Sequence, residues 1–453
     1  MTPIHRDRAV VLGGSMAGLL AARVLADDFA EVVVIDRDPL SPGASPRRGT
    51  PQARHLHGLL ARGHQVLEDL FPGLTAELVA GGAPTGDMLG RTRLCFGGHR
   101  FRQAPSGLTA VCVSRPTLEA TVRRRVVALP EVRLLGERDV VGLVASRDNR
   151  RVTGARVIGR ADGSAEEHLP ADVVVDATGR GSRLPIWLES LGYAPPRQER
   201  TRIGVGYASR HYRLRPDALG TDLVAISAPA PGWPRGGGLS LLEDGRCLVT
   251  LMGVLGDHPP TEPEGFARFA ADVALPDMQE ILQDAEPLDD AVAYRYPASV
   301  RHRYDRLTRF PDGLAVLGDA VCTLNPIYGQ GMTVAALEAA ALRPCLADGQ
   351  SRNHVREVGR ISGVAWAMAL GADLSFPEVE GTRTPATRLL GRYVGRLQAG
   401  AEHDVRLGRA FLRVTSMVDP PGALLRPSVV VRAVKAGISA QAASSAKIGV
   451  GGP

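Results

Sequence analysis

The residues best suited to chemistry lie in one run, Leu314 to Leu342, LAVLGDAVCTLNPIYGQGMTVAALEAAAL. A short apolar segment, Leu314 to Leu317, is bounded by Pro311-Asp312-Gly313 and by Gly318-Asp319. It predicts a buried strand that delivers one carboxylate at its end. A loop with Pro326, Gly329, Gln330, Gly331 and Met332 follows, and Thr333 starts a run of strong helix formers. Asp319 can accept from sugar hydroxyls. The loop glycines let backbone N–H groups come close to a ligand, and the helix dipole favours negative charge beyond Gly331. The ligand this suits is a polyol with an anionic headgroup, and a reduced flavin is such a molecule.

A second cluster sits near the start of the chain. Ala9 to Leu12 predicts a strand that runs into Gly13-Gly14-Ser15-Met16-Ala17-Gly18, then a helix from Leu19 to about Ala26. A second strand, Val32 to Ile35, ends in Asp36, with Arg37 next to it. Strand, glycine turn, helix and terminal acid form the βαβ dinucleotide fingerprint in its proper context. Gly13 allows the tight turn, Gly18 the close helix–strand packing, and Asp36 is placed for the adenosine ribose. Ser15 departs from the pattern's middle glycine.

Between these clusters the chain carries further candidates. Arg47 to His57, RRGTPQARHLH, is a polar basic loop, and the apolar residues from Leu59 to Leu70 have helical spacing. His55-x-His57 invites a metal reading, but no third ligand of suitable type lies nearby, and zinc normally takes three protein ligands. Ser114-Arg115-Pro116 precedes a helix, Thr117 to Val127, whose starting arginine could reach a flavin or phosphate or simply sit in solvent. Val140–Ala145, Val152–Ile158 and Ala171–Val175 read as strands. The last ends in Asp176-Ala177-Thr178-Gly179, another place for close backbone approach.

From Leu184 to about Thr308 the texture changes to alternating segments, with a hairpin signal at Asp244-Gly245 between Leu239–Leu242 and Cys247–Leu251. This predicts a second module with an antiparallel sheet and a helix around Phe266–Val273. Gly236-Gly237-Gly238 reads as a loop. Tyr207, Tyr212, Trp233, Tyr294 and Tyr296 are candidates to line a pocket there. Val364 to Leu370 predicts a helix, Leu389 to Val414 one or two arginine-rich helices, and the tail past Lys435 a loose end.

Taken in order, GGSMAG with Asp36, RRGTPQARHLH, SRPTLE, DATGRGSR and LGDAVCTLNPIYGQGMT resemble the flavoprotein monooxygenases of the para-hydroxybenzoate hydroxylase fold. The likeness is nearest to the squalene-epoxidase-like bacterial enzymes of polyketide and polyether tailoring, and PEVEGTRTP (Pro377 to Pro385) is similar to a segment of that group. The resemblance implies an α/β fold: a Rossmann-like FAD-binding domain of the glutathione-reductase type (1–183 and 309–388), an inserted antiparallel-sheet substrate domain (184–308) and a C-terminal helical region (389–453). It implies FAD held by Gly13, Ser15, Met16, Ala17, Gly18, Asp36, Arg37, Arg48, Arg115, Thr178, Gly179, Gly318 and Asp319. Gly329, Gln330, Gly331 and Met332 would edge the pyrimidine, and Pro326 would lie over the ring. The implied reaction moves one oxygen of O2, through a flavin C(4a)-hydroperoxide, onto an alkene or electron-rich ring of a hydrophobic secondary metabolite. Two positions depart from that family. Thr178 stands where many members have Asp, and Val321-Cys322 where Ala-His is common. The first bears on whether NAD(P)H reduces the flavin directly or through a separate flavin reductase. An alkene reductase of the geranylgeranyl-reductase type and a non-catalytic flavin-binding protein are the other readings of the same motifs.

Composition excludes several classes. The formal charge is +6 over 453 residues, with basic residues scattered and aromatics at 4%, a poor match to nucleic acid. Cys95, Cys112, Cys247, Cys322 and Cys345 form no C-x-x-C, so neither a zinc ribbon nor a dithiol centre is indicated. Lysine occurs only at 435 and 447, which argues against a halogenase that relies on a lysine beside its substrate. No apolar run reaches membrane-spanning length and no signal peptide is evident, so a cytoplasmic, soluble enzyme is expected.

Overall fold

The computed structural model describes residues 6–436, apart from 42, 274, 276 and 347–349. The expected loose end past residue 436 lies outside the described residues.

Five parallel strands make the cofactor-side sheet, in the order Leu314–Val316, Val173–Asp176, Arg6–Leu12, Phe29–Ile35, Val132–Leu135. The central residues of the first four are apolar and buried, as a covered parallel sheet requires, while the edge strand Val132–Leu135 is only partly buried and exposes Arg133. The fingerprint helix Met16–Leu25 and the helix Gly331–Ala340 cover one face with Leu19, Leu20, Ala336 and Ala339. The 23-residue helix Ser351–Asp373, of which the sequence predicts only Val364 to Leu370 near its C-terminal end, covers the other with Val355, Val358 and Ala365. The strand Leu314–Val316 ends at Gly318-Asp319, and Val173–Asp176 ends two residues before Thr178. Both motifs therefore emerge at the carboxyl edge of adjacent strands, where α/β sheets bind ligands.

The second large sheet has eight strands. Val205–Arg213, Cys247–Gly253, Arg235–Leu241 and Val224–Ser227 run antiparallel to their neighbours in that order. Thr92–Phe96 joins parallel to Val224–Ser227 and pairs in turn with His99–Arg100. The sheet thus takes strands from before position 184 as well as after it, a long-range pairing that local periodicity cannot announce. The hairpin at Asp244-Gly245 forms with Leu241 opposite Cys247.

Gly236-Gly237-Gly238, expected as a loop, is buried strand instead. A Cβ at Gly236 would sit 2.5 Å from Pro229 Cδ, and one at Gly238 2.8 Å from Leu56 Cδ2. The glycines let the 55–57 loop lie directly on the sheet. The predicted C-terminal helices are two, Pro385–Gly400 and Val405–Thr415, and they close over the far side of this sheet through Leu397, Leu407 and Phe411.

Candidate functional site

The two sheets and the C-terminal helices enclose one cavity of about 2170 Å³. That is about twice the upper end of usual small-molecule pockets, so there is room for a large cofactor and a second molecule together. Every residue assigned to the cofactor from sequence lines it except Gly18 and Arg48.

Gly18 acts from behind. A Cβ there would fall 1.8 Å from the Gly13 carbonyl oxygen, and one at Gly13 2.4 Å from the Ala177 oxygen, where φ is +104°. The first turn of the helix can press against the strand ends only because both residues lack side chains. Arg48 is exposed and outside the cavity, which corrects its assignment. Its neighbour Arg47 turns inward and meets Asp36 at 3.2 Å, Glu119 at 2.7 Å and the Gly14 carbonyl at 3.2 Å. Two adjacent arginines in an irregular loop give no periodic cue to which one points in. Replacing Arg47 by alanine removes the ion pair of Asp36 and leaves Glu119 to Arg115 and Arg123; it should lower stability by about 1–3 kcal/mol, read by thermal unfolding, and weaken FAD retention. Arg48→Ala should change neither by more than about 0.5 kcal/mol.

At the N-terminus of the fingerprint helix, Ser15 stands as N-cap without capping. Its hydroxyl donates to Glu119 Oε2 at 2.8 Å and accepts from Arg115 Nη2 at 3.2 Å. Burial alone would raise the Glu119 carboxyl, but Arg115 and Arg47 outweigh it and hold it below the usual range. Glu119 was not legible as a site residue. Only its place four residues after Arg115, one helical turn away, hinted at the pairing. Arg115 is 7% exposed and its Nη1 has no partner. A buried guanidinium with one unpartnered nitrogen beside a helix N-terminus suits a diphosphate.

Asp36 accepts from the Gly14 N–H at 2.6 Å and the Asp38 N–H at 2.8 Å. Asp319 faces the cavity, and burial pushes its carboxyl up to about 6 against the opposing pull of Arg180 and Arg115. Thr178 is tied back to Asp176, whose Oδ1 accepts both its N–H (2.9 Å) and its hydroxyl (2.6 Å), while Oδ2 accepts from Ser182 (2.5 Å). A carboxyl is therefore present two residues before the position where it was missed, but it shapes the loop and has no surface of its own.

The turn Pro326–Tyr328 is braced from below. Asn325 Nδ2 and the Tyr328 hydroxyl both donate to Asp373 Oδ1, at 2.9 and 2.7 Å. Gly329 (φ +64°) reverses the chain into the helix Gly331–Ala340, and nothing stands within 4 Å of a Cβ at Gly331. That leaves open space at a helix start, with the buried Gln330 Oε1 unpartnered beside it. These features fit FAD: a ribose acid, an arginine with one unpartnered nitrogen at a helix N-terminus, a second acid, and an open glycine cradle.

His55 and His57 are not brought together with acidic or thiol ligands. His55 Nδ1 bonds Ser209 Oγ at 2.7 Å, and Ser209 bonds Thr250 at 2.6 Å. Burial lowers both imidazoles to about 4, helped by Arg54 for His55 and Arg115 for His57. Among the five aromatic candidates, Tyr207, Tyr294 and Tyr296 line the cavity. Tyr212 packs in a core against Phe266, and Trp233 is half exposed. The cavity's other side, built from residues 88–113, 224–252 and 387–425, includes Leu94, Phe96, Ile226, Val394 and Leu412 and no charged side chain. No described helix is long and apolar enough to cross a membrane.

The sequence matches the FAD dependent oxidoreductase family over residues 9–185. Protein Rv3254 of Mycobacterium tuberculosis is 37% identical over 436 residues, covering 91% of this chain and 90% of that protein. A kynurenine 3-monooxygenase of Salinispora tropica is 28% identical over 358 residues, covering 76% and 73%. Among solved structures, p-nitrophenol 4-monooxygenase PnpA of Pseudomonas putida superposes with a TM-score of 0.62 at 17% identity, over 93% of this chain and 100% of that one. The flavin-dependent halogenase CmlS gives 0.62 at 18%, over 92% and 77%. At such identities these two structures speak for the fold alone.

Proposed function

This chain belongs to the FAD-dependent oxidoreductases, and from that premise we propose that it is a monooxygenase that places one atom of O2 on an alkene or electron-rich ring of a hydrophobic, secondary-metabolite-type substrate. The observation that carries this is the continuity of one cavity from the cofactor motifs to a chamber without charged side chains. A charge-free wall favours apolar substrate and keeps water out. In this reading residues 1–183 and 309–388 hold the cofactor and 184–308 supply most of the substrate sheet. Asp36 takes the ribose, Ser15 and Arg115 the diphosphate, Asp319 the ribityl chain, and the Gly329–Met332 backbone the pyrimidine edge. Bound FAD, once reduced, supplies the oxygen activation. The chain's own task is to orient substrate against the Pro326–Tyr328 turn, which Asp373 and Asn325 keep rigid. Halogenation is disfavoured, because Lys435, the one lysine among the described residues, does not line the cavity.

The test begins with anaerobic purified protein, watching flavin absorbance on addition of NADPH or NADH and then of a flavin reductase. Bleaching by nicotinamide alone means a self-contained enzyme. Bleaching only with the reductase means that Thr178 in place of Asp accompanies a two-component system. On admitting labelled O2, one labelled oxygen in product supports the proposal. Saturation of a double bond without O2 uptake would replace it with an alkene reductase, and a protein that takes up no FAD would end both.

A further inference from the structure

Four tyrosines line the cavity, and their hydroxyls are not alike. Tyr294 is bonded by the Arg180 guanidinium, Tyr296 donates to the Thr323 carbonyl at 3.1 Å, and Tyr328 donates to Asp373 at 2.7 Å. Tyr207 is 6% exposed, and its hydroxyl has no hydrogen-bond partner among the described residues. Tyr207 lines the cavity, so the little surface it keeps faces that space. A phenol taken this far out of water without a partner is costly in the empty protein.

Its position is well defined. Tyr207 lies opposite Met252 on one neighbouring strand and Tyr294 on the other, and it packs in one cluster with Ile327 and Phe376. Ile327 belongs to the Pro326–Tyr328 turn, so Tyr207 and the rigid turn border the same part of the cavity. Met252, Ile327 and Phe376 offer nothing to an ion; the His55 ring, 6.0 Å from that of Tyr207, is held neutral by burial, and the nearby Asp373 carboxyl is already committed to Asn325 and Tyr328. A charged substrate group here would lose its hydration for a single hydrogen bond, whereas an uncharged oxygen loses little and gains a partner.

We propose that the Tyr207 hydroxyl is the substrate's polar anchor: it hydrogen-bonds one uncharged oxygen (ketone, quinone, alcohol or phenol) of an otherwise apolar molecule and so fixes which part of that molecule faces the Pro326–Tyr328 turn. Burial holds the phenol well above its ordinary pKa, so it remains protonated and can donate or accept. The inference rests on the monooxygenase reading for the substrate's fate, and on the geometry alone for its binding.

The test uses the FAD-loaded full chain and two bicyclic probes that differ by one oxygen, 1-tetralone and tetralin. Dissociation constants come from the flavin absorbance change and, independently, from calorimetry. Wild type should prefer the ketone by about three- to tenfold, the range of one hydrogen bond. Tyr207→Phe should bind both alike while holding tetralin as wild type does. Tyr296→Phe, whose hydroxyl is already committed to Thr323, should keep the preference. The anchor is refuted if Tyr207→Phe discriminates as wild type does, or if wild type shows no preference or binds neither probe. Preference present without any O2-dependent product formation would refute the monooxygenase reading and leave the anchor standing.

Discussion

Gly18→Ala is expected to yield protein without bound flavin, destabilised by at least about 3 kcal/mol. The added Cβ would lie 1.8 Å from the Gly13 carbonyl oxygen and 3.3 Å from Val11 Cγ1. Overpacking usually costs about 1–3 kcal/mol because side chains can yield. Here the obstacle is backbone at the tightest point of the fold, where the helix Met16–Leu25 springs from the strand Arg6–Leu12. Relief requires moving the helix N-terminus outward, which carries Ser15 and the cavity-facing N–H groups with it. The matched control is Gly391→Ala in the helix Pro385–Gly400, where nothing lies within 4 Å of the new Cβ. Removing a glycine from that exposed helix interior should stabilise by about 1 kcal/mol. One substitution type thus gives opposite signs at two sites, read by thermal unfolding and by the flavin band of the purified protein. Equal, small effects at both would mean that the fingerprint turn is looser than these contacts require.

The fingerprint and the Gly318–Met332 segment were legible because each is a local signal: an apolar run, a turn residue with special φ/ψ, and a helix start within about 30 residues. The strands and helices that carry them formed where periodicity placed them. What stayed hidden was non-local. Thr92–Phe96 joins a sheet whose other strands, its short neighbour His99–Arg100 apart, lie more than 100 residues on, and no pattern within five residues names the partner Val224–Ser227. Arg47 and Arg48 are chemically identical neighbours, and only the positions of Glu119 and Asp36 select between them. Gly236 to Gly238 misled because a glycine run usually marks a loop. Close approach of Pro229 and Leu56 to the sheet overrides that tendency. The Tyr207 hydroxyl could not be told from four other aromatic candidates until its neighbours' partners were known.

Glu338 carries the other large effect, and it was read in the sequence merely as a helix former. It has no exposed surface; Oε2 accepts the Gly318 N–H at 2.6 Å and Oε1 has no partner. It thus ties the helix Gly331–Ala340 to the turn that presents Asp319. Burial, reinforced by the nearby Asp319 carboxyl, pushes Glu338 well above its ordinary 4.5, despite the Gly318 hydrogen bond and Arg301. A raised folded-state value means the stabilisation is complete below the unfolded value near 4.5 and is lost as pH rises, because the unfolded chain ionises there and the folded chain does not. While Glu338 stays protonated in the fold, each pH unit above that point costs about 1.4 kcal/mol. Glu338→Gln keeps an acceptor for Gly318 and cannot ionise, so its stability relative to wild type should climb as pH rises above the unfolded value. Glu338→Leu removes the acceptor, leaves a buried N–H unsatisfied, and should cost about 1–3 kcal/mol at pH 5. The two variants separate the proton from the hydrogen bond. Asp176, Asp319 and Asp373 are shifted the same way, so wild type and Gln variant share their slopes, and the difference between the two curves belongs to Glu338. Flavin affinity gives a second readout: the Leu variant, with Gly318 untethered and Asp319 free to swing, should lose FAD on dilution at a pH where the Gln variant retains it. A Gln variant whose stability parallels wild type across pH would mean that Glu338 is ionised in the fold and paired with Arg301.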